Sequence, residues 1–90
     1  MVKIMYKLNY YSKLTTGLES KEQDFEYTGT GETFRLRRNA LHYLFDIVQN
    51  EYKSMNYATE KRVGSLYCYK SEKTDEGNRR MIEILIKVEK

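Results

Sequence analysis

Ninety residues, 32% of them charged and 40% hydrophobic, describe one soluble domain spanning 1–90. A chain of this size buries only about 60–65% of its unfolded surface, so one helix on one sheet is about the largest core it offers. No apolar run reaches the length needed to span a bilayer, and lysines and an asparagine interrupt MVKIMYKLNYY, which therefore does not read as a signal peptide; a cytoplasmic protein is expected. The single cysteine, Cys68, rules out an internal disulfide and a cysteine-based zinc cluster. The net charge of +3 is mild for a dedicated nucleic-acid binder.

Residues 2–11 alternate, with Val2, Ile4, Tyr6, Leu8 and Tyr10 on one face and Lys3, Met5, Lys7, Asn9 and Tyr11 on the other, which predicts a strand. Residues 12–23 are polar and read as a loop. Ser20 and Gln23 match a capping box, but no apolar run follows, so no helix is expected there. Residues 24–28 alternate weakly through Phe25 and Tyr27, and Gly29-Thr30-Gly31 reads as a hairpin turn. Residues 32–37 fit either a strand with Phe34 and Leu36 inward or the start of the following helix. The strand is preferred, because three arginines in a first helical turn would oppose the positive end of the macrodipole.

Over residues 38–57, Leu41, Leu44, Phe45, Val48, Tyr52 and Met55 recur at steps of three and four, which predicts the one long helix, with Asp46, Gln49, Asn50 and Lys53 opposite. Asn56 suits a left-handed C-terminal residue. Residues 61–70 read as a strand with a bulge at Gly64, residues 75–78 as a turn, and residues 80–89 as a strand alternating through Ile82, Ile84, Ile86 and Val88. The expected fold is α+β: a two-layer sandwich of an antiparallel sheet of four or five strands, ordered β-β-β-α-β-β, with the helix on one face.

No catalytic set assembles along this chain, and a non-enzymatic protein without cofactor or metal is expected. His42, the only histidine, lies beside the helical stripe without an oriented partner in sequence, and Cys68 sits among strand tyrosines as a packing residue. Glu72, Asp75 and Glu76 lack the alternating oxygens of a calcium loop. Thr28–Glu32 lacks the lysine of a phosphate loop and is accounted for by a turn.

Two surface features remain. Arg35, Arg37 and Arg38, with Arg62, Arg79 and Arg80, would form an anion-binding patch if the strand starts lie together; the alternative is solvated charges paired with nearby glutamates. Met5, Tyr11, Met81 and Leu85 point away from the helix, and Tyr67 or Tyr69 joins them according to the bulge at Gly64. Tyrosine, methionine and arginine are enriched in interfaces, so Arg35, Arg37, Arg38, Arg79, Arg80, Tyr67 and Tyr69 are the candidate partner-binding residues. Met5, Tyr11 and Leu85 are placed at a homodimer contact, since the helix covers only one face of the sheet. The expected function is docking on a macromolecular target, a protein or protein–nucleic-acid machine, as a regulator or inhibitor. Nucleic-acid binding through sheet tyrosines, or a small-nucleotide sponge using Arg37 and Arg38, are the alternatives. The short, tyrosine- and lysine-rich, proline-free chain resembles accessory proteins of low-GC phages and mobile elements, many of which bind and block a host machine.

Overall fold

A computed structural model describes residues 4–16 and 25–90. Two strands, β1 (Tyr6–Thr16) and β2 (Glu26–Phe34), precede the helix; three follow it, β3 (Ala58–Arg62), β4 (Ser65–Lys73) and β5 (Arg79–Glu89). All pair antiparallel in one sheet of order β2-β1-β5-β4-β3, so β5, the last of the described strands, lies at its centre between β1 and β4. The helix runs from α1 (Arg37–Tyr43) through a π-helical segment (Leu44–Val48) into α2 (Gln49–Ser54) and packs on one face. This is the α+β sandwich expected, but the element order is β-β-α-β-β-β rather than β-β-β-α-β-β: Gly29–Gly31 does not divide the segment before the helix, and a turn at Val63-Gly64 divides the one after it.

The core lies where helix and sheet centre meet. Leu8, Leu44, Leu66, Cys68 and Ile86 are fully buried, with Ala40 and Val48 beside them, and Tyr6, Tyr10, Phe34, Ile84 and Val88 pack round the edge. On β1, β4 and β5 the even-numbered residues face the helix, as the alternation in β1 and β5 requires. Buried helix positions fall at steps of four: Ala40, Leu44, Val48. An α-helix drifts by about 40° for each step of four residues, which would carry this stripe off the sheet. The wider π turn takes back part of that drift and holds the line as far as Tyr52.

The π segment also reassigns the helix faces. Gln49, expected opposite the apolar stripe, is buried, and its Nε2 donates to Thr59 Oγ1 on β3 at 2.9 Å. Met55, expected within the stripe, is 48% exposed beyond the end of α2, where Asn56 takes the left-handed conformation (φ 68°).

Other boundaries move for local reasons. Gly29-Thr30-Gly31 is not a turn but lies inside β2, whose register against β1 slips twice. A Cβ on Gly31 would lie 2.8 Å from the Tyr10 ring, so the glycine there makes room for an aromatic laid against the strand. Residues 12–16, expected as loop, extend β1; the expected capping box at Ser20 and Gln23 and the site of Val2 fall outside the described residues. Strand β2 stops at Phe34, Leu36 is 47% exposed rather than inward, and the helix takes in Arg37 as well as Arg38. Ile4 precedes β1 and is 59% exposed, not part of the core.

The expected single strand over 61–70 is two strands joined at Val63-Gly64. Gly64 supplies the positive φ (71°) of the two-residue turn, and Val63 is fully exposed. The turn at residues 75–78 is as expected, with Gly77 N–H donating to the Thr74 carbonyl and Thr74 N–H to that of Asn78.

Candidate functional site

The sheet face away from the helix is the candidate site. The odd-numbered residues of β1, β4 and β5 and the even-numbered ones of β3 project there. Cross-strand register sets Tyr27, Tyr11, Leu85, Tyr67 and Glu60 in one row across all five strands. Tyr69 stands next to Tyr67 on β4, and Met81 lies further along β5. Tyr27, Tyr69 and Met81 are exposed, while Tyr11, Tyr67 and Leu85 are half-buried by their neighbours.

The aromatic rings are held, not loose. Tyr67 and Tyr69 stack with centroids 5.2 Å apart, and the Arg62 guanidinium lies 4.4 Å from the Tyr67 centroid. Arg62 pairs with Ser65, so it approaches Tyr67 from the side opposite Tyr69 and completes a short column along the strand. Tyr11 meets Tyr27 edge-on at 5.7 Å, with the Lys87 ammonium 5.1 Å from its centroid. The hydroxyls are anchored too: Tyr11 donates to Glu89 Oε1 at 2.5 Å and Tyr67 to Glu83 Oε1 at 2.6 Å. The Glu89 carboxyl is pushed below its ordinary range by that bond and by one from Asn9 Nδ2. The Tyr67 phenol is pushed up to about 12 by burial, aided by its bond to Glu83.

The expected partner-binding residues do not gather at one place. Tyr67 and Tyr69 meet on the outer face as described. Arg37 reaches toward the Gly64 turn, Arg38 stands on α1, and Arg35 precedes the helix. Arg79 and Arg80 begin β5 opposite Glu72 and Lys73, at the far end of β4 from Ser65. Eight steps along a strand separate those ends by about 27 Å. Arg80 faces the helix side and is ion-paired with Glu72. One arginine patch is therefore replaced by two separate groups. Of the expected dimer-contact residues, Tyr11 and Leu85 are direct cross-strand neighbours on the outer face, and Met5 lies half-buried just before β1. Tyr27 was missed, because its place beside Tyr11 depends on the slipped register of β2.

Away from the sheet face, a shallow groove of about 440 Å³ runs along the helix between Arg38, Leu41, His42, Phe45 and Asp46. His42 is on the helix surface, its Nδ1 3.3 Å from Asp46 one turn on. Lys61 from β3 places its ammonium 5.4 Å from the Phe45 ring, so the groove borders that edge strand. Among the described residues no three metal-ligating side chains lie together, and no helix is long and apolar enough to cross a membrane.

Cys68 is fully buried, and burial pushes its thiol up to about 12. A buried thiol with so little thiolate is a poor nucleophile. In native buffer near neutral pH it is expected to resist an aromatic disulfide reagent over hours and to react in seconds once denaturant is added. Stoichiometric labelling of the native protein within minutes would show instead that β4 opens readily. Comparison with protein families, with curated proteins and with solved structures finds no match for this chain, so its functional reading rests on its own residues.

Proposed function

We propose that this chain is a non-enzymatic binding protein that docks on a macromolecular target through the outer face of its sheet and regulates or blocks that target by covering part of it. The observation that carries this reading is the fixed row Tyr27–Tyr11–Leu85–Tyr67, with Tyr69 beside it and Met81 further along β5, on a face that no element of the described chain covers. Ordered tyrosines give a large amphipathic contact area at low conformational cost, which is the chemistry of a docking surface. The short, proline-free, tyrosine- and lysine-rich composition fits the accessory proteins of phages and mobile elements that act in this way.

Ring geometry favours a protein over a nucleic acid as the target. Base stacking needs a free ring face. Tyr67 has Arg62 on one side and Tyr69 on the other, and Lys87 lies over Tyr11, so of the four tyrosines only Tyr27 and Tyr69 keep an open face, and they stand at separate places on the sheet.

Site-specific crosslinking tests the reading. A photoreactive residue in place of Tyr69 is expected to give one discrete adduct in a lysate of the source cells, and the same residue in place of the exposed Lys53 on the helix to give none. Adducts formed only from position 53, or from neither position, would overturn the outer face as the docking surface.

A further inference from the structure

We infer that the outer face is built for an acidic protein surface, a patch of Asp and Glu side chains, rather than for nucleic acid or a second copy of this chain; the inference rests on the docking reading above. Strand register brings Lys7, Lys13, Arg62, Lys73, Arg79 and Lys87 to this face, against Glu60, Glu83 and Glu89. All three carboxylates already have internal partners. Arg62 donates to Glu60 at 3.1 Å, Tyr67 donates to Glu83, and Tyr11 and Asn9 both donate to Glu89. Of the six cations, Arg62 alone has a carboxylate within 4 Å among the described residues. The acids on this face thus hold its own tyrosines and arginine in place; Lys7 and Lys13 stand opposite Glu89 and Glu83 without a close ion pair, while Lys73 and Arg79 face each other and Lys87 faces Asn9 and Ser65, which leaves a surplus of positive charge on the face.

The cations are also positioned. Lys87 and Arg62 lie on tyrosine rings, which keeps their stems along the sheet and their charges at the rim of the aromatic row. A face with an apolar middle, a surplus of positive charge and internally bonded acids is complementary to an acidic surface, which it would attract at long range and orient on contact. A two-fold contact between copies would set the same surplus against itself. A nucleic acid would meet the charge but find both faces of Tyr67 and one of Tyr11 taken, leaving only Tyr27 and Tyr69, at separate places on the face, for stacking.

The experiment uses the full chain, isotope-labelled, with three probes: a peptide of about a dozen residues rich in glutamate and carrying one leucine, a lysine-rich peptide of the same length, and oligothymidylate of the same length. The glutamate peptide is expected to shift the amide signals of Tyr11, Tyr67, Tyr69 and Lys87 and leave those of the helix in place. Its affinity should fall at least tenfold between about 50 and about 300 mM salt, as screening at these strengths demands. The lysine peptide should shift nothing. Lys87→Glu with Arg79→Glu, both at exposed positions, should abolish the effect without changing the melting temperature by more than a few degrees, and Glu60→Gln should strengthen binding.

Oligothymidylate binding more tightly than the glutamate peptide at the same amides would overturn the inference in favour of nucleic acid. A mass of two chains in light scattering, reduced to one by Tyr69→Glu, would overturn it in favour of a second copy. Shifts confined to the helix, or none at about 1 mM peptide, would overturn it outright. Those results leave the crosslinking test untouched: an adduct at position 69 that forms equally at low and high salt keeps the docking face and removes the acidic partner.

Discussion

Leu44→Ala should lower the stability of this protein by about 3 kcal/mol and its melting temperature by well over 10 °C. Leu44 is fully buried at the middle of the helix, in the line Ala40–Leu44–Val48 that lies on Leu8, Leu66 and Ile86. Truncation removes the transfer energy of the lost methyl groups and leaves a cavity. The surroundings cannot collapse freely, since the π segment fixes the helix phase and the strands beneath are tied on both sides. A loss of this size is a large share of the stability of a small domain, for which about 5–15 kcal/mol is usual. Leu14→Ala is the control: Leu14 is 49% exposed on the helix side of β1, outside the core cluster, and its loss should cost under about 1 kcal/mol. Equal shifts for the two variants by thermal or urea unfolding would mean that the core does not lie under the helix as described.

What was legible in advance was whatever local periodicity encodes. Ile82, Ile84, Ile86 and Val88 alternate without interruption, and the strand and its inward face follow directly. The helix is legible for the same reason, its stripe being long enough to dominate a window of a dozen residues. The π segment was not: nothing in Leu44–Val48 looks unlike an α-helix, and the need for it comes from the sheet beneath. Gln49 illustrates the result, a polar residue turned inward because Thr59, ten positions on, offers a hydroxyl to accept its N–H. Val63 hid the β3–β4 hairpin by supplying an apolar residue where a turn residue was wanted, although Gly64 carried the signal. The outer face was half legible. Parity alone put Tyr11 and Leu85 there together, and Tyr67 beside Tyr69, but the row joining them, with Tyr27 at its end, depends on pairing between distant strands. For the same reason the arginines could not be assigned to one patch or two from sequence: Arg79 is placed by strand register and Arg37 by the packing of the helix start against the Gly64 turn, neither by any local pattern.

Raising the pH should unfold this protein cooperatively between about pH 10 and pH 12. Burial is the first cause holding the phenols of Tyr10, Tyr52, Tyr57 and Tyr67 above their usual range, with Tyr52 and Tyr67 at about 12. Tyr11 is raised as well, chiefly by its hydrogen bond to Glu89, and burial takes Cys68 to about 12. In the unfolded chain a tyrosine ionises near pH 10 and a cysteine near 8.5. Where the folded pKa is the higher one, the native state binds more protons than the unfolded state between the two values, so stability falls as pH rises through that window. Below about pH 8 both states are protonated and the contribution is intact. Above about pH 10 the unfolded chain gains from every ionisation that the folded chain withholds, and several such groups act together. Tyr10 and Tyr52 belong to the layer between helix and sheet, so their ionisation and the loss of the core are expected to coincide. Tyrosinate absorbance near 295 nm and far-ultraviolet circular dichroism, followed on the same samples, should therefore show one shared transition in which several tyrosines ionise together. Tyr52→Phe, which deletes one of the most strongly shifted phenols, should move that transition to higher pH. Smooth ionisation of all nine tyrosines near pH 10 with unchanged dichroism would contradict the burial described for this layer.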